Sequence, residues 1–489
     1  MNTARPGPTT APPAPTADVA VIGAGVVGSA IARELAGHEL SVVLLDARHD
    51  VGDGTSKANT AILHTGYDTK PGTLESRLVA LGYHLLSEYA KQTGIPVERT
   101  GALLVAWDTD ELAALPGLQA KAAANGYHES EIVDAAEVYR QVPDLGDGAL
   151  GGLTVPGESI ICTWTASLAL ATDARRRGTD LRLGHTVTSI SHDAARTILH
   201  CDAGDVRARW VVNAAGLGCD HIDQMFGYDR FQVTPRRGEL LVFDKLARPL
   251  VNKIVLPVPT ARGKGVLVSP TIYGNIMLGP TAEDLDDRTA TSTSAAGFEF
   301  LLGKGRRLMP RLLQEEVTAS YAGLRAAIDA SDYLIEADAQ QRYVLVGGIR
   351  STGLTAAMAI ASYVRDLLAG AGLKRAARSD VPPPPRMPNI GEATVRPYQD
   401  QARISADPAY GRIVCFCERV TEGEIRDTCR STIPPAELGG LRRRTRAMNG
   451  RCQGFFCAAE VSALFESSRA SMPAAAVPST VADPLEAPA

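Results

Sequence analysis

The most regular pattern of apolar and polar positions lies near the N-terminus. Residues 18–22 form a short apolar stretch, a glycine-rich run over residues 23–28 follows, and a periodicity typical of a helix continues to about Ala36. A second apolar stretch covers residues 41–45, and Asp46 ends it. A buried strand, a turn, a helix and a second buried strand make a βαβ unit.

Further strand patterns lie well down the chain. Residues 204–216 alternate between apolar and polar positions and end in small residues. The mixed stretch 230–320, together with the short run 101–107, predicts strands of a different and mostly antiparallel layer. Residues 342–370 predict a strand, a glycine-rich turn and a long helix, and the proline-rich stretch that continues to Gly411 predicts a linker or an extended wrap.

Composition places the chain among globular proteins of more than one unit. Its 489 residues are 45% hydrophobic and 21% charged, and the net charge of −5 gives no bias toward nucleic acid. No apolar run approaches the about 20 residues that a membrane-spanning helix needs, and the N-terminal stretch lacks the pattern of a secretory signal. Four scattered cysteines without such a signal predict a reducing compartment, the cytoplasm. These cysteines are Cys162, Cys201, Cys219 and Cys429.

The first glycine-rich turn has the spacing G-x-G-x-x-G. Gly23 permits the tight turn, Gly25 lets the backbone approach a pyrophosphate, and Gly28 lets helix and strand pack closely. The helix that starts near Val26 offers unpaired N–H groups to phosphates, and Asp46 is placed to bind ribose hydroxyls. With a strand before it, a helix after it and this acid, the turn predicts a dinucleotide site; a glycine-rich turn without a ligand is the alternative.

Two later stretches favour FAD over NAD. "WVVNAAG", which ends at Gly216, is a second strand and turn that would close over an FAD. "GGIRSTGLT" is another glycine-rich turn at a helix start, where backbone N–H groups could meet the flavin or its ribityl chain. The candidate residues in the second stretch are Gly348, Gly353, Leu354 and Thr355. Their late positions predict a discontinuous FAD domain with a substrate domain inserted.

At these stretches the chain resembles the FAD-dependent D-amino-acid-oxidase-like superfamily, within it the branch of type 2 glycerol-3-phosphate dehydrogenases and oxidases and L-2-hydroxyglutarate oxidases. The resemblance covers about residues 18–372 and is most specific in "GTSKANTAILHTGYDTKPGTLESRL". It implies an α/β (α+β) fold in which an antiparallel-sheet substrate domain is inserted into an FAD domain of the two-dinucleotide-binding type. It also implies that a loop with Thr55, Ser56 and Asn59 wraps the flavin. Relatives often have N-S-G where this chain has Asn59-Thr60-Ala61, which leaves a phosphorylated polyol, a 2-hydroxy acid or an unphosphorylated polyol open as substrate.

Oxidation of a secondary alcohol by a flavin sends a hydride to N5 and needs a base for the hydroxyl proton. His64 is the candidate base because imidazole titrates near neutral pH, and the resemblance supports it; a structural histidine is the alternative. A substrate anion needs cations, and resemblance favours Lys264 and Arg325 and similarly Arg350, with Arg237 ranked lower. Each of these cations, like Arg237, could instead be a surface charge or part of a structural salt bridge.

The C-terminal part carries the other four cysteines in two bursts, C-x-C and C-x₄-C. They are Cys415, Cys417, Cys452 and Cys457. This spacing is uncommon for zinc, but it supplies two thiolates for each iron of a [2Fe–2S] cluster. The segment resembles the small helical [2Fe–2S] domain of bacterioferritin-associated ferredoxin; zinc or a module without metal are the alternatives. Five arginines lie in "LRRRTRAMNGR", where balancing the negative charge of a cluster is the first interpretation and a solvated or nucleic-acid-binding face the second. Thr421 and Glu424 predict a capping box.

The predicted organisation has five parts. They are a disordered tail at 1–17, the oxidoreductase domain at 18–375, a proline-rich linker at 376–411, the [2Fe–2S] domain at 412–469 and a disordered tail at 470–489. Within the oxidoreductase domain, the FAD part is expected at about 18–100, 150–230 and 320–375 and the substrate part at about 101–149 and 231–319.

Together these features predict a dehydrogenase of a small anionic or polyhydroxylated alcohol. A flavin takes two electrons and the cluster carries one at a time, so we expect electrons to pass stepwise to an acceptor protein or a quinone. Partner subunits that hold the enzyme at the inner membrane are compatible with this. An amine or amino-acid oxidoreductase and a non-catalytic electron-carrier or scaffold protein remain open.

Overall fold

The structure is a computed structural model that describes residues 16–193, 195–259, 265–392 and 395–470. The strands in these ranges are β1 Thr16–Ile22, β2 Val42–Asp46, β3 Ile62–Leu63, β4 Val97–Glu98, β5 Ala102–Ala106, β6 Glu131–Asp134, β7 Gly151–Val155, β8 Ser159–Ile161, β9 Asp180–Leu183, β10 Val187–His192, β11 Thr197–Cys201, β12 Val206–Asn213, β13 Thr234–Phe243, β14 Ile254–Pro257, β15 Leu267–Pro270, β16 Ile276–Gly279, β17 Glu283–Asp284, β18 Val317–Ala327, β19 Leu334–Asp338, β20 Tyr343–Gly347, β21 Ile413–Cys415 and β22 Val420–Thr421. The α-helices are α1 Val26–Leu35, α2 Leu74–Thr93, α3 Thr109–Ala124, α4 Ala135–Gln141, α5 Thr163–Arg176, α6 Cys219–Met225, α7 Ala295–Leu308, α8 Gly353–Gly370, α9 Gln401–Ala406, α10 Glu422–Arg430, α11 Leu438–Thr445 and α12 Ala458–Ala470.

The first sheet is the one that the N-terminal pattern predicts. β1 lies between β12 and β2 in an eight-stranded sheet, both pairings are parallel, and β20 continues the parallel set beside β12. Ile22 pairs with Asn213, and Asn213 pairs with Leu345, so these three strands end at the same edge. The glycine-rich turns that follow them therefore meet there, which is where open parallel sheets bind dinucleotides. α1 packs against α5 and α8 beside this sheet.

The second sheet is the predicted, mostly antiparallel layer. Its strand order is β17-β13-β16-β15-β14-β5-β7-β6, with β18 paired along the whole of β13. β7 and β18 extend the layer to residues 151–155 and 317–327, beyond the segments 101–149 and 231–319. Local periodicity identifies a strand but does not say which sheet it joins, and these two strands from the expected FAD part belong to the antiparallel layer.

A short three-stranded sheet, β3-β8-β4, brings the candidate base to the site. Leu63 in β3 pairs with Ser159 in β8 in antiparallel register. The residue after Leu63 and the residue before Ser159 therefore face each other, and these are His64 and Glu158.

The proline-rich segment runs along both layers, and it meets the antiparallel layer where Glu392 N donates to Ile272 O over 3.1 Å. Glu39 N donates to Ala376 O over 2.9 Å, and Met387 N donates to Thr93 O over 2.7 Å. The segment then reaches the C-terminal module, where the fully buried Arg396 lies 3.1 Å from Glu424. The stretch is thus an extended wrap held by backbone hydrogen bonds.

The C-terminal module has its own core. The β21–β22 hairpin packs with α10, α11 and α12 around apolar side chains. The largest of these are Val414, Val420, Ile425, Leu441, Val461 and Phe465. Thr421 and Glu424 form the predicted capping box at the start of α10, and Cys429 is buried on that helix. Among the helices that the structure describes, none is long and apolar enough to cross a membrane.

Candidate active site and cluster site

The first glycine turn is a cradle of bare backbone. Gly23 has φ +106°, and a Cβ there would lie 2.4 Å from Ala214 O. A Cβ at Gly28 would lie 1.8 Å from Gly23 O, so the start of α1 can approach β1 only without that side chain. Gly25 caps α1 without a side-chain hydrogen bond, which leaves backbone N–H groups at the helix start. This cradle fits the pyrophosphate of FAD.

Two polar side chains brace the cradle. Ser56 Oγ accepts a hydrogen bond of 3.0 Å from Val26 N, so the 55–64 loop is attached directly to the first turn of α1. Asp46 accepts from Ala24 N over 2.7 Å and from Arg48 N over 2.8 Å. Burial raises the pKa of Asp46 in spite of these two hydrogen bonds. Asp46 thus fixes the turn, and ribose binding by this carboxylate stays a prediction.

The later turns complete the same edge of the sheet. Gly216 has φ +57° and Gly348 has φ +69°, conformations that favour glycine. α8 begins at Gly353 without a side-chain cap, and Leu354 and Thr355 in its first turn are buried. The first N–H groups of α8 are therefore available to a ligand at this edge.

The 55–64 loop is held in place by its own polar side chains. Thr55 Oγ1 donates to Leu324 O over 2.8 Å, which ties the loop to β18 of the antiparallel layer. Asn59 Nδ2 donates to Ser56 O over 2.9 Å, and its Oδ1 accepts from Ala61 N over 2.7 Å. Ala61 has φ +54°, the left-handed region, which explains why a glycine is common at this position of the N-S-G pattern.

His64 follows this loop and has a buried carboxylate beside it. Its Nδ1 lies 3.0 Å from Glu158 Oε2, and its backbone N donates to Thr355 Oγ1 over 3.0 Å. Glu158 is only 2% exposed, and its other oxygen accepts from Thr65 N and Thr65 Oγ1. Since a carboxylate only accepts, the Nδ1 of His64 carries a proton in this contact, so in the neutral imidazole it is Nε2 that has the lone pair. This is the tautomer that a general base needs.

The four candidate cations differ in their partners. Arg325 in β18 is partly buried, and the contact that the described residues offer it is Thr281 O at 3.4 Å, with no carboxylate in ion-pair distance. Burial, and after it the charge of Arg236, lowers the pKa of the Arg325 guanidinium. Arg350 lies 3.1 Å from Glu75 and also donates to two backbone carbonyls.

Arg237 and Lys264 complete the set of cations. Arg237 is paired with Glu239 at 3.1 Å and with Glu283 at 2.5 Å, the structural alternative. Lys264 lies outside the described residues. Arg325 is thus the cation that the structure leaves available for a substrate anion.

The four cysteines of the C-terminal module come together as two pairs. Cys415 interacts with Cys457, and Cys417 with Cys452. Backbone N–H groups of Phe456, Gly454 and Phe455 surround the Cys452 sulfur, and the hydrogen bond from Phe456 N–H leads the causes that lower the pKa of this thiol. Among the described residues, no group of three or more Cys, His, Asp or Glu side chains is arranged around a single metal-ion position. Two thiol pairs side by side fit the two irons of a [2Fe–2S] cluster.

Glycines allow this close approach of backbone and sulfur. A Cβ at Gly450 would lie 2.4 Å from Cys417 Cβ, and Gly454 has φ +89°. Substitution of either glycine would therefore displace a ligand loop.

The arginine run docks the module on the rest of the protein. Arg444 lies 2.6 Å from Asp50, and Arg443 lies 2.7 Å from the same carboxylate and 2.8 Å from Asp53. Both carboxylates follow β2 of the FAD sheet. Charge balance of the cluster was the expected role, but these two side chains are used to join the domains.

Arg446 is the buried centre of the same contact. It lies 2.7 Å from Glu418 and 4.1 Å from the centre of the Tyr273 ring. Tyr273 stacks on Trp164 with 5.1 Å between ring centres, and Trp164 Nε1 donates to Lys57 O in the 55–64 loop. A continuous row of packed side chains thus connects the loop of the active site with the residue beside Cys417.

Sequence reasoning missed Glu158 and this interface. Glu158 lies in a plain "PGESI" turn 94 residues from His64, and only the β3–β8 register brings them together. Asp50, Asp53 and Tyr273 likewise carry no local signal that they meet the arginine run.

The fold and the site define a flavoprotein oxidoreductase of two-layer architecture with an appended iron–sulfur module. A family profile described as FAD dependent oxidoreductase matches residues 18–367, and one described as BFD-like [2Fe-2S] binding domain matches residues 413–467. The chain belongs to the FAD dependent oxidoreductase family. The predicted family, fold and cofactors, FAD and a [2Fe–2S] cluster, are confirmed.

Relatives cover both parts of the chain. A glycerol 3-phosphate dehydrogenase of Caloramator mitchellensis is 37% identical over 450 residues, 91% of this chain and 92% of the relative. One subunit of the anaerobic glycerol-3-phosphate dehydrogenase of Escherichia coli is 25% identical over 92% of this chain and 88% of its own length. The structure of the dithionite-reduced, FAD-bound L-α-glycerophosphate oxidase of Mycoplasma pneumoniae matches with a TM-score of 0.73 and 29% identity, over 77% of this chain and 100% of that one. The chain is therefore a glycerol-3-phosphate-dehydrogenase-like FAD oxidoreductase with a [2Fe–2S]-binding domain.

Proposed function

We propose that this protein oxidises glycerol 3-phosphate at its secondary hydroxyl and passes the electrons on through the [2Fe–2S] domain. The observation that carries the proposal is the arrangement around the 55–64 loop. At one end the loop leads to His64, whose Nδ1 contacts Glu158. At the other end it is tied to β18 beside Arg325, a partly buried arginine that has no carboxylate partner among the described residues. A base and an isolated cation are the two groups that a phosphorylated alcohol requires.

The residues of this chain divide the chemistry as follows. Bound FAD supplies the hydride acceptor. Arg325 binds the phosphate and so orients the substrate, because a guanidinium matches phosphate oxygens with two parallel N–H donors. His64 Nε2 takes the proton of the secondary hydroxyl, and Glu158 holds the imidazole in the tautomer that allows it and stabilises the imidazolium that results.

The proposal also covers the electron acceptor, the partner subunits and the cellular compartment of the enzyme. The relative from Escherichia coli is one subunit of an enzyme, which supports partner subunits and an acceptor protein or quinone for this chain. All eight cysteines lie in the described residues and none forms a disulfide, which fits the reducing conditions of the cytoplasm. With partner subunits, the enzyme could work at the inner face of a membrane.

Anaerobic absorbance spectroscopy of the holoenzyme tests the substrate. We expect glycerol 3-phosphate to bleach the flavin bands, and glycerol, L-2-hydroxyglutarate and amino acids to leave them at least tenfold less reduced at equal concentration, roughly the discrimination that one charged hydrogen bond provides. Bleaching by an amino acid instead would establish the amine-oxidising alternative. Bleaching by none of these compounds would establish the carrier or scaffold alternative.

A further inference from the structure

The most exposed large apolar side chains of the described residues lie together in the two segments that carry the cluster cysteines. Phe455 is 85% exposed, Phe456 81% and Phe416 74%. Phe416 stands between Cys415 and Cys417, and the other two immediately precede Cys457. The rings of Phe455 and Phe456 pack edge to face with 5.1 Å between their centres. We call these three side chains the phenylalanine face.

Three phenylalanine side chains in contact with water are unfavourable in free energy, and the packing of the module does not require this exposure. The core of the module is complete without them, since α10, α11 and α12 pack on other apolar residues. Three phenylalanines at this exposure present roughly 500 Å² of apolar surface in all, an amount close to the largest patch of a typical monomer, and the contact of Cys417 with Cys452 holds their two segments next to each other. A patch of this kind marks a surface that another molecule covers.

The contacts of the module with the rest of the chain are made by charged side chains and not by the three phenylalanines. Two of these contacts come from neighbours of the ligands, since Glu418 lies 3.1 Å from Lys245 and Arg451 pairs with Glu316. Arg443, Arg444 and Arg446 make the contacts with the FAD sheet and the antiparallel layer, and they come from α11 and the residue after it. The phenylalanine face belongs to the ligand segments themselves. Cys417 and Cys452 in these segments are partly exposed, whereas Cys415 and Cys457 are buried. Cys415 and Cys457 therefore belong to the core of the module, and the pair Cys417 and Cys452 is the side of the cluster site that reaches the surface, in the same segments as the phenylalanine face.

The size and chemistry of the face fit one class of occupant. A stable dimer buries about 800 Å² on each partner, more than this face offers, whereas transient redox complexes are smaller than about 1,200 Å² in total. The segments "CFC" and "CQGFFC" contain no charged residue, and the flanking Glu418 and Arg451 are paired within the chain, so an apolar partner surface matches this face. Rigid aromatic side chains without charge are the usual anchors of such contacts.

We propose that the phenylalanine face is the docking surface for a redox protein that accepts electrons from the [2Fe–2S] domain. The inference rests on the proposed function and names the place where electrons leave the chain. The oxidised alcohol releases two electrons, and the cluster gives up one at a time. The partner is therefore a one-electron acceptor that is reduced in two successive encounters for each substrate.

Site-specific photo-crosslinking finds the occupant. p-Benzoylphenylalanine replaces Phe455 in one full-length protein and Phe300, which is half exposed on α7, in the control. Both proteins are irradiated in the cells from which the chain comes. We expect position 455 and not position 300 to crosslink a protein with a redox centre. A crosslink to a second copy of this chain, to residues 471–489, to phospholipid or to a protein without a redox centre overturns the proposal, as does the absence of any crosslink specific to position 455.

The identified protein is then purified and measured against variants. Phe455→Ser/Phe456→Ser should weaken its binding to the holoenzyme by about tenfold or more, and Phe300→Ser should leave it unchanged. Vesicles of phosphatidylglycerol and phosphatidylethanolamine serve as the membrane probe. The proposal is overturned if both variants bind the partner protein with equal affinity. It is also overturned if the holoenzyme binds the vesicles and only the double variant loses this binding.

Two spectra show whether a loss of partner binding comes from the phenylalanine face itself or from damage to the active site or the cluster. Flavin bleaching by glycerol 3-phosphate reports the active site, and the electron paramagnetic resonance signal of the dithionite-reduced variant reports an intact cluster. Both should match the unsubstituted protein. If the cluster signal changes, the single variant Phe416→Ser replaces the double one, and unchanged binding by that variant counts against the docking surface.

Discussion

At the scale of single residues, Glu158 is the group on which the candidate base depends. Replacing it in Glu158→Gln keeps the shape but removes the charge that holds His64 in one tautomer. We expect kcat with glycerol 3-phosphate to fall by roughly 10- to 100-fold with little change in KM, because substrate binding does not use this side chain. Steady-state kinetics of the holoenzyme measures both constants.

Thr65→Val supplies the matched control. It removes a hydroxyl from the other oxygen of Glu158 but leaves the contact of the carboxylate with His64. Its kcat should fall by less than about tenfold. Equal losses in the two variants, or a rise in KM alone in Glu158→Gln, would show that the carboxylate only supports the fold.

Arg325 carries the specificity for an anionic substrate. Arg325→Met should lower kcat/KM for glycerol 3-phosphate by roughly 10- to 100-fold, since one charged contact is lost, and should leave the low activity with glycerol unchanged. Arg236→Met is the control, because Arg236 lies opposite Arg325 on β13 but is exposed and paired with Asp284. A similar loss with both substrates would place Arg325 in the fold and not in the phosphate site.

At the scale of elements, α2 and α8 touch through Gly82. A Cβ at this position would lie 2.3 Å from Thr355 O and 2.8 Å from Ala356 Cα, both backbone atoms that cannot turn aside. Gly82→Ala should therefore destabilise the protein by about 1–3 kcal/mol. It should also disturb the hydrogen bond from His64 N to Thr355 Oγ1. Thermal unfolding of the FAD-loaded protein measures the first effect.

The same substitution at a position with open space around it should stabilise the protein instead of destabilising it. Gly303 lies inside α7, and nothing stands within 4 Å of a Cβ there. Gly303→Ala should stabilise the protein by about 0.5–1 kcal/mol, as for glycine in any exposed helix interior. If both variants unfold at the same temperature, close packing of α2 on α8 is not what Gly82 provides.

Elements also show what could be predicted from the sequence. The βαβ unit with Gly23 and Gly28 follows from local periodicity and turn chemistry, and so does the capping box at Thr421. The contact of His64 with Glu158 follows from the register of two strands far apart in the chain, and no local pattern encodes it. The resemblance to the family identified His64 as the candidate base without this register, but it did not identify Glu158.

At the scale of the whole molecule, the two domains are joined by buried charges. Asp50 is 6% exposed and accepts hydrogen bonds from Arg443 and Arg444, and Arg444 is equally buried. The sequence shows an arginine run but not its carboxylates, which lie nearly 400 residues earlier. Local reasoning therefore assigns the run to the cluster, whereas its geometry serves assembly.

Asp50→Asn should loosen this junction more than the loss of any exposed ion pair would. It leaves Arg444 buried without a charged partner, at a cost of about 3–5 kcal/mol. Hydrogen–deuterium exchange should then increase in α11, while the FAD sheet stays protected. Asp284→Asn removes the exposed partner of Arg236 and should cost less than about 1 kcal/mol.

The junction should also respond to acid in a defined direction. Burial by itself raises the pKa of Asp50, but the hydrogen bonds and charges of Arg444 and Arg443 outweigh it, so the pKa lies below its usual value. A carboxylate of this kind stabilises the docked state fully above its free pKa of about 4 and loses the contribution as the pH falls through its lower, docked pKa. Exchange in α11, expressed relative to the intrinsic amide exchange rate at each pH, should therefore stay constant from neutral pH to about pH 4 and rise below it. In Asp50→Asn the exchange is high throughout and lacks this acid transition, and a transition of equal size in the variant would mean that other carboxylates, such as Glu418, hold the domains together.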